Sequence, residues 1–469
     1  MKQDHYQIPL FQKLKQFTTD RPLSFHVPGH KNGTIFHQDA EGYFESILKL
    51  DMTELPGLDD LHAPTEAIAE AEQLAADFFK SDDTFFLVGG STAGNLAMVL
   101  ATCSAGDKII VQRNCHKSIM NALELSGARP VFIAPIYDET VERYTNPDTA
   151  VLNEALKKHP DAKALVLTYP DYFGKTYSIK EMIELAHSHN IPVLVDEAHG
   201  VHFSLGKPFP VSALDLGADV VVQSAHKMAP AMTMASFLHI KSTLIKKERV
   251  AHFLQVIQSS SPSYPLMVSL DIARSFLATL KEEEIGSIME SASTVRGILH
   301  NSSFGYVLPS NDPLKITFHV KQNFSAGQVA TVLESMKVYP ELVTHNQILF
   351  IHGLSPFKQI ERFRKIIKRI GEQLKNHANH ATIEMGKLFP QPIQELALSY
   401  QTMSTLPYKL VPFKEGIGQI AAEAVIPYPP GIPFILKGEK ITAAHIATVE
   451  QLRGQGIRIQ QREEGIKIY

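Results

Sequence analysis

The sequence is poor in several features that would have fixed its class at once. It has only two cysteines in 469 residues, Cys103 and Cys115, too few for a disulfide framework and not clustered as metal ligands are. It holds no stretch of 18 apolar residues, which excludes a helical membrane span, and no apolar run of the kind a signal peptide needs follows Met1–Tyr6. The net charge is only −4 and the sequence pI is about 6.6, so there is neither a basic footprint for nucleic acid nor a polybasic patch for a membrane surface. Internal repeats and low-complexity segments are also missing. No Gly-Lys-[Ser/Thr] completes a Walker A loop, and no Gly-x-Gly-x-x-Gly marks a dinucleotide site. These absences leave a globular protein expected in the reducing cytoplasm, acting on a small molecule, with no nucleic-acid or membrane partner and no metal.

Among the features that are present, Lys227 is the most informative. It stands in Gln223-Ser224-Ala225-His226-Lys227, directly after the apolar run Asp219-Val220-Val221-Val222. A second run, Ile191-Pro192-Val193-Leu194-Val195, ends in Asp196-Glu197-Ala198-His199-Gly200. Both read as buried parallel strands, being short, β-branched and bounded by polar residues or Gly. Each then carries a charged residue at its carboxyl edge, where open α/β sheets place ligands. A Lys and an Asp at neighbouring strand ends suit pyridoxal 5′-phosphate (PLP): the amine forms an imine with the aldehyde, and the carboxylate holds the ring nitrogen protonated.

The surrounding pattern supports a sheet of that kind. Strands are predicted at 84–88, 108–111, 130–133, 164–168, 193–195 and 220–223, with helical patterns between them, as at 95–103 and 179–189. A further helix is predicted to open near Pro64, since Pro suits the first helical position. This alternation predicts an α/β fold with a mostly parallel sheet and helices on both faces. The last third differs. Leu314, Ile316, Phe318 and Val320 alternate with Lys315, Thr317 and His319, predicting a half-exposed strand, and Phe357 to Leu374 keep helical spacing. We therefore expect an N-terminal segment over 1–62, a large domain over 63–310, and a smaller C-terminal α+β domain with a tail over 311–469. The tail centres on the stiff Pro427–Pro433 segment.

Several clusters have both a chemical and a plain reading. Gly89-Gly90-Ser91-Thr92-Ala93-Gly94-Asn95 follows a strand and opens a helix, so it can cradle a phosphate, yet Gly-rich strand-to-helix turns are common. His116, in Asn114-Cys115-His116-Lys117-Ser118, is either an aromatic lid on a cofactor ring or a polar residue in a first helical turn. Asp196 is either the ring-nitrogen partner or an N-cap. His199 lies near cofactor or substrate, or is a satisfied polar residue at the sheet edge. Ser224 and His226 can bind phosphate near Lys227. The Ser259–Ser263 hydroxyl cluster either caps a helix or supplies a phosphate ligand. Asp59 and Asp60 form a turn and helix cap, or recognise a cationic substrate end. His26 and His30 have metal-like spacing, but Pro28-Gly29 forbids the helix that spacing needs.

Taken in order, the segments 26–31, 58–62, 91–95, 114–118, 195–200, 224–227 and 427–433 resemble the bacterial ornithine/lysine/arginine decarboxylases over nearly the whole chain, and the short Gram-positive members most closely. The resemblance implies an aspartate-aminotransferase-like PLP fold and a homodimer or higher even oligomer with sites at the subunit interface. It implies Lys227 as the imine lysine, Asp196 as the pyridine-nitrogen partner and His116 as the stacking ring. Ser91, Thr92, Asn95, Ala198, Ser224, His226 and the partner subunit's Ser260 would complete the cofactor site, and His199 would lie near the reacting carbon. Glu423 is the first candidate for the distal amine or guanidinium of the substrate, with Asp59 or Asp60 behind it. Met228 stands where the family often has Thr or Leu, a change in the wall of the substrate pocket. The implied reaction is α-decarboxylation of a basic amino acid, arginine before lysine before ornithine, giving CO2 and agmatine or a diamine, for polyamine synthesis or acid resistance. Two alternatives are another PLP enzyme, an aminotransferase or lyase, and a PLP-binding regulatory protein of low turnover.

Overall fold

The computed structural model describes residues 3–321, 324–374, 389, 391–428, 432–454, 458–459 and 463–469. By contacts the chain divides into two units, residues 1–102 with 179–280 and residues 103–178 with 281–469.

In the first unit the two predicted charged strand ends lie side by side. Strand Val193–Asp196 runs parallel to Val220–Gln223, with Asp196 opposite Val222. Val220–Gln223 pairs on its other side with Ser236–Ile240, antiparallel, and that strand pairs antiparallel with Asp83–Leu87. Helix Gly90–Thr102 covers one face. It can lie close because residue 94 is Gly: a Cβ there would sit 2.7 Å from Leu87 Cδ1 and 2.8 Å from Val222 Cγ1. The opposite face receives helix Ala67–Phe79, whose Phe79 ring lies 4.4 Å from that of His239. Strand Asp83–Leu87 has an outer edge, and side chains occupy it: Phe86 N–H donates to Glu72 at 2.8 Å and Val88 N–H to Gln258 at 2.8 Å.

In the second unit, Leu165–Thr168, Lys108–Gln112 and Arg129–Ile133 form parallel pairs, and Ile393–Glu395 adds antiparallel to Arg129–Ile133. A separate antiparallel sheet runs Gly305–Val307, Lys315–Val320, Gln347–Ile351, Leu342–Val343. Its core joins Ile316, Phe318 and Ile348 to Leu299, Leu333, Phe363 and Ile370 from helices Glu282–His300, Ala326–Ser335 and Ile360–Leu374.

Two expectations change. The strand Lys315–Val320 is buried on both faces, not half-exposed: Lys315, Thr317 and His319 are all covered. The chain around Gly174 packs on Lys315, where a Cβ at residue 174 would approach Lys315 Cγ to 2.6 Å, and Asp312 N–H donates to Gly174 O at 3.0 Å. The helix expected at Pro64 begins at Ala67. Its first N–H groups are taken by an upstream carboxylate, so the start lies where those bonds form. Pro429–Gly431, the middle of the proline-rich segment, falls outside the described residues.

Candidate active site

Lys227 occupies a single helical turn, Ala225–Met228, entered directly from strand Val220–Gln223 through Ser224. Its Nζ lies 3.2 Å from His199 Nε2. His199 is buried and follows strand Val193–Asp196 by three residues, so adjacent parallel strands deliver an amine and an imidazole to one point. That pair can exchange a proton.

Asp196 is 3% exposed. Asn95 Nδ2 donates to its Oδ2 at 2.9 Å, and Ala198 N–H donates to its Oδ1 at 3.2 Å. Both donors are neutral. They fix the carboxylate's orientation, and a buried carboxylate so held is suited to a cationic partner. Asn95 is itself placed by the close approach of helix Gly90–Thr102 to the sheet that Gly94 permits.

Hydroxyls gather at the start of that helix. Ser91 Oγ lies 2.7 Å from Ser224 Oγ and donates to Ser236 Oγ at 3.3 Å, while Thr92 is exposed on the same turn. Gly90 has φ +72°, a left-handed conformation that turns the chain from strand to helix. Free N–H groups at a helix start, with hydroxyls beside them, suit a phosphate. His226 Nδ1 donates to Ala235 O at 3.1 Å, since a carbonyl only accepts. Burial, and then Lys227, lower its pKa, so the ring is held neutral and must gain a second proton before it can donate to a phosphate.

These groups meet the demands of PLP: an amine for its aldehyde, a fixed carboxylate for its ring nitrogen and a hydroxyl-rich helix start for its phosphate. Their arrangement in one sheet edge is the observation that supports the fit.

The remaining candidates have their own surroundings. Ser260 is exposed, in the loop between helices Lys247–Ile257 and Tyr264–Thr279. His116 caps helix Lys117–Ser126 in the second unit, where its Nδ1 accepts from Ser118 N–H at 3.3 Å and sits 2.9 Å from Ser118 Oγ. Asp59 takes the helix-cap reading: its Oδ1 accepts from Asp60 and Thr65 N–H, each at 2.9 Å, and its Oδ2 from Glu66, Ile68 and Ala69 N–H at 2.9, 2.9 and 3.2 Å. Burial raises its pKa, but the N–H groups outweigh that and leave it below the ordinary carboxylate value. Five donors fill this carboxylate, so it is not available to a substrate without unravelling the start of helix Ala67–Phe79. Asp60 Oδ1 accepts from His62 N–H at 2.8 Å. Glu423 Oε1 accepts from Lys467 N–H at 3.1 Å, and its Oε2 lies 3.8 Å from Lys467 Nζ. His30 Nε2 is 3.2 Å from Asp51 Oδ2. Among the described residues no group of three or more His, Cys, Asp or Glu side chains is arranged to hold a metal ion, and no helix is long and apolar enough to cross a membrane.

Sequence reasoning missed the second polar system at the same sheet edge. Glu197 Oε1 accepts from Ala213 N–H at 2.7 Å, and its Oε2 accepts from Ser212 Oγ at 2.8 Å and Gln223 Nε2 at 2.5 Å. From Gln223 the chain continues through His239 Nε2 at 3.1 Å to Thr84 and Ser81, 2.8 Å at each of the last two steps. Burial pushes Glu197 up to about 8 and His239 down to about 3, so this chain is neutral near pH 7. The signal was available in Gln223 and His239, polar residues inside otherwise apolar strands.

Comparison with known proteins identifies the family. The profile described as Orn/Lys/Arg decarboxylase, major domain, matches residues 8–320, and that of the Orn/Lys/Arg decarboxylase C-terminal domain matches residues 379–456. The chain is 43% identical over 460 residues to the uncharacterized protein YaaO of Bacillus subtilis, covering 96% of this chain and 95% of that protein. It is 36% identical over 475 residues to an arginine decarboxylase of the same organism, covering 98% of this chain and 96% of the relative. The fold matches the structure of the constitutive lysine decarboxylase of E. coli with a TM-score of 0.82 at 17% identity, over 99% of this chain and 82% of that one.

Proposed function

The chain belongs to the Orn/Lys/Arg decarboxylase family, and from that premise we propose that arginine is its preferred substrate, ahead of lysine and then ornithine. The broader activity follows from the family: this is a PLP-dependent decarboxylase of a basic amino acid with an aspartate-aminotransferase-like fold. The observation that carries our reading of the site is the Lys227–His199 pair beside the Asn95-oriented Asp196 on adjacent parallel strands.

The Lys227 amine would hold PLP through its aldehyde, and the cofactor would supply the electron sink for the pair left when the substrate carboxylate departs as CO2. Asp196 keeps a positive charge on the ring nitrogen favourable, and Asn95 and the Ala198 N–H hold that carboxylate still. Ser91, Thr92 and Ser224 anchor the phosphate end at the helix start, with the partner subunit's Ser260 proposed to join them. His116 is the proposed stacking ring. Lys227 Nζ would hold a proton for Cα, and His199 Nε2, 3.2 Å away, would be placed to resupply it. Glu423 remains our candidate for the guanidinium, which would displace its contact with Lys467.

We also infer a homodimer or higher even oligomer acting in the cytoplasm in polyamine synthesis. The oligomer is supported by large apolar side chains that the N-terminal segment leaves exposed, among them Leu23 at 86%, Phe25 at 94% and Tyr43 at 90%. The test is mass spectrometry of amines formed from an equimolar mixture of arginine, lysine and ornithine with PLP. Agmatine as the main product is expected. Cadaverine or putrescine in excess overturns the substrate order, and no amine with no CO2 overturns the reading of the site.

A further inference from the structure

The C-terminal antiparallel sheet carries a cleft of about 590 Å³ that the decarboxylase chemistry does not use. Its floor is apolar. Val295, Ile316 and Phe363 belong to the domain core, and Phe350 and Ile366 pack against them. Val295, Ile316 and Phe363 are themselves covered, at 8%, 1% and 6% exposure, and the part-exposed Phe350, Phe357 and Ile366 supply the apolar surface beside helix Ile360–Leu374. Aromatic rings form one wall: Phe357 meets Phe363 edge-on with centroids 6.1 Å apart, and Phe350 meets Phe363 at 6.4 Å. Phe357 is nonetheless 39% exposed, and Tyr339, also in the lining, is 69% exposed.

The loop that bears this wall is tied down. Phe357 N–H donates to Ser291 Oγ at 2.8 Å, Ser291 Oγ lies 3.0 Å from His352 Nε2, and His352 Nδ1 donates to Gly353 O at 2.8 Å. The opening is therefore built rather than a gap in loose packing.

Charge gives the cleft its polarity. Lys337, Lys358 and Arg362 stand among the lining residues, and no Asp or Glu does. Among the described residues none of the three cations forms an ion pair; Arg362 Nη1 donates only to the neutral Gln359 Oε1 at 2.8 Å. Three cations of one sign around an apolar opening, in a chain of net charge −4, form a local field that an anion relieves. The volume lies in the range of small-molecule pockets.

We propose that this cleft binds a small anionic amphiphile, a monocarboxylate with an apolar body, seated with its tail on Phe350, Phe357 and Ile366 and its carboxylate between Lys358 and Arg362. Tail burial provides the affinity. The exposed cations contribute mainly selectivity, since each surface ion pair is weak and salt-screened.

The test exploits the absence of tryptophan from the chain. Tyr339→Trp in the full-length holoenzyme places the sole indole at the opening. Decanoate, kept below micelle formation, is titrated against its emission, with decanol and decyltrimethylammonium as neutral and cationic controls. Isothermal titration of the unaltered protein with decanoate gives the same reading if the tryptophan perturbs the cleft. A saturable 1:1 response to decanoate is expected, with both controls at least tenfold weaker. The double variant Lys358→Glu/Arg362→Glu should weaken decanoate at least tenfold while CO2 release stays unchanged. No saturable binding by either measurement, equal binding of all three amphiphiles, or unchanged binding in the charge-reversed variant overturns the proposal.

Discussion

Strand Val193–Asp196 leads into two successive carboxylates that face opposite sides of one sheet and meet opposite surroundings. Asp196 lies on the side covered by helix Gly90–Thr102, and two neutral donors orient it. Glu197 points to the other side, where three donors converge on it and burial pushes it up to about 8. Both are buried, at 3% and 0% exposure, so burial alone does not separate a functional carboxylate from a structural one. What separates them is what surrounds each: two donors orient Asp196, while three converge on Glu197. Glu197 is spent on a neutral hydrogen-bonded chain that ties four strands of the first unit together. Asp196 is held still beside the Lys227 and His199 pair.

Substitutions can break this contrast. Lys227→Ala should abolish CO2 release from arginine, lysine and ornithine by more than about a thousandfold, because no other group replaces the nucleophilic amine. Asp196→Asn should lower kcat by at least about a hundredfold, a loss of some 3 kcal/mol of transition-state stabilisation, while Glu197→Gln changes it less than about threefold in the same steady-state assay. Comparable losses in the two variants would erase the distinction drawn between the faces. Gly94→Ala should cost about 1–3 kcal/mol in denaturant unfolding, since its Cβ is forced against Leu87 and Val222. Asp59→Ala should cost about 1 kcal/mol through the lost helix cap and leave KM nearly unchanged; a large KM increase would return Asp59 to the substrate site.

A separate expected effect is on pH dependence. Glu197 and Glu72 are both raised from 4.5 to about 8 in the folded protein. Between those values the folded state holds protons that the unfolded chain releases, so their contribution to stability is full below about pH 4.5 and is lost as pH rises through 8. Thermal midpoints of the wild type should therefore fall from pH 5 to 8.5. Glu197→Gln should flatten that slope, and Glu72→Gln should flatten it further.

How much of this was legible in the sequence depended on how local the signal was. The strands 108–112, 129–133, 165–168, 193–196 and 220–223 fall within two residues of expectation, because each is a continuous run whose apolar side chains are buried on both faces. Strand Ser236–Ile240 was not anticipated. Ser236 and His239 disguise it, although both are buried and bonded to partners distant in sequence. The partnership of Asn95 with Asp196 spans 101 residues and depends on Gly94 letting the helix approach, which no local pattern reveals. Lys227, Asp196, Ser91 and Ser224 could be singled out as candidates because strand ends in an α/β sheet are where ligands bind. The five bonds to Asp59 were not, since a cap and a substrate carboxylate look alike in one dimension.

The most direct test of the account is the location of the cofactor's covalent bond. The purified holoenzyme is reduced with borohydride, digested and mapped by tandem mass spectrometry. The account predicts a phosphopyridoxyl group on the ε-nitrogen of Lys227, and on that lysine alone. The same group on a different lysine, or no adduct in a preparation that still releases CO2, would contradict it.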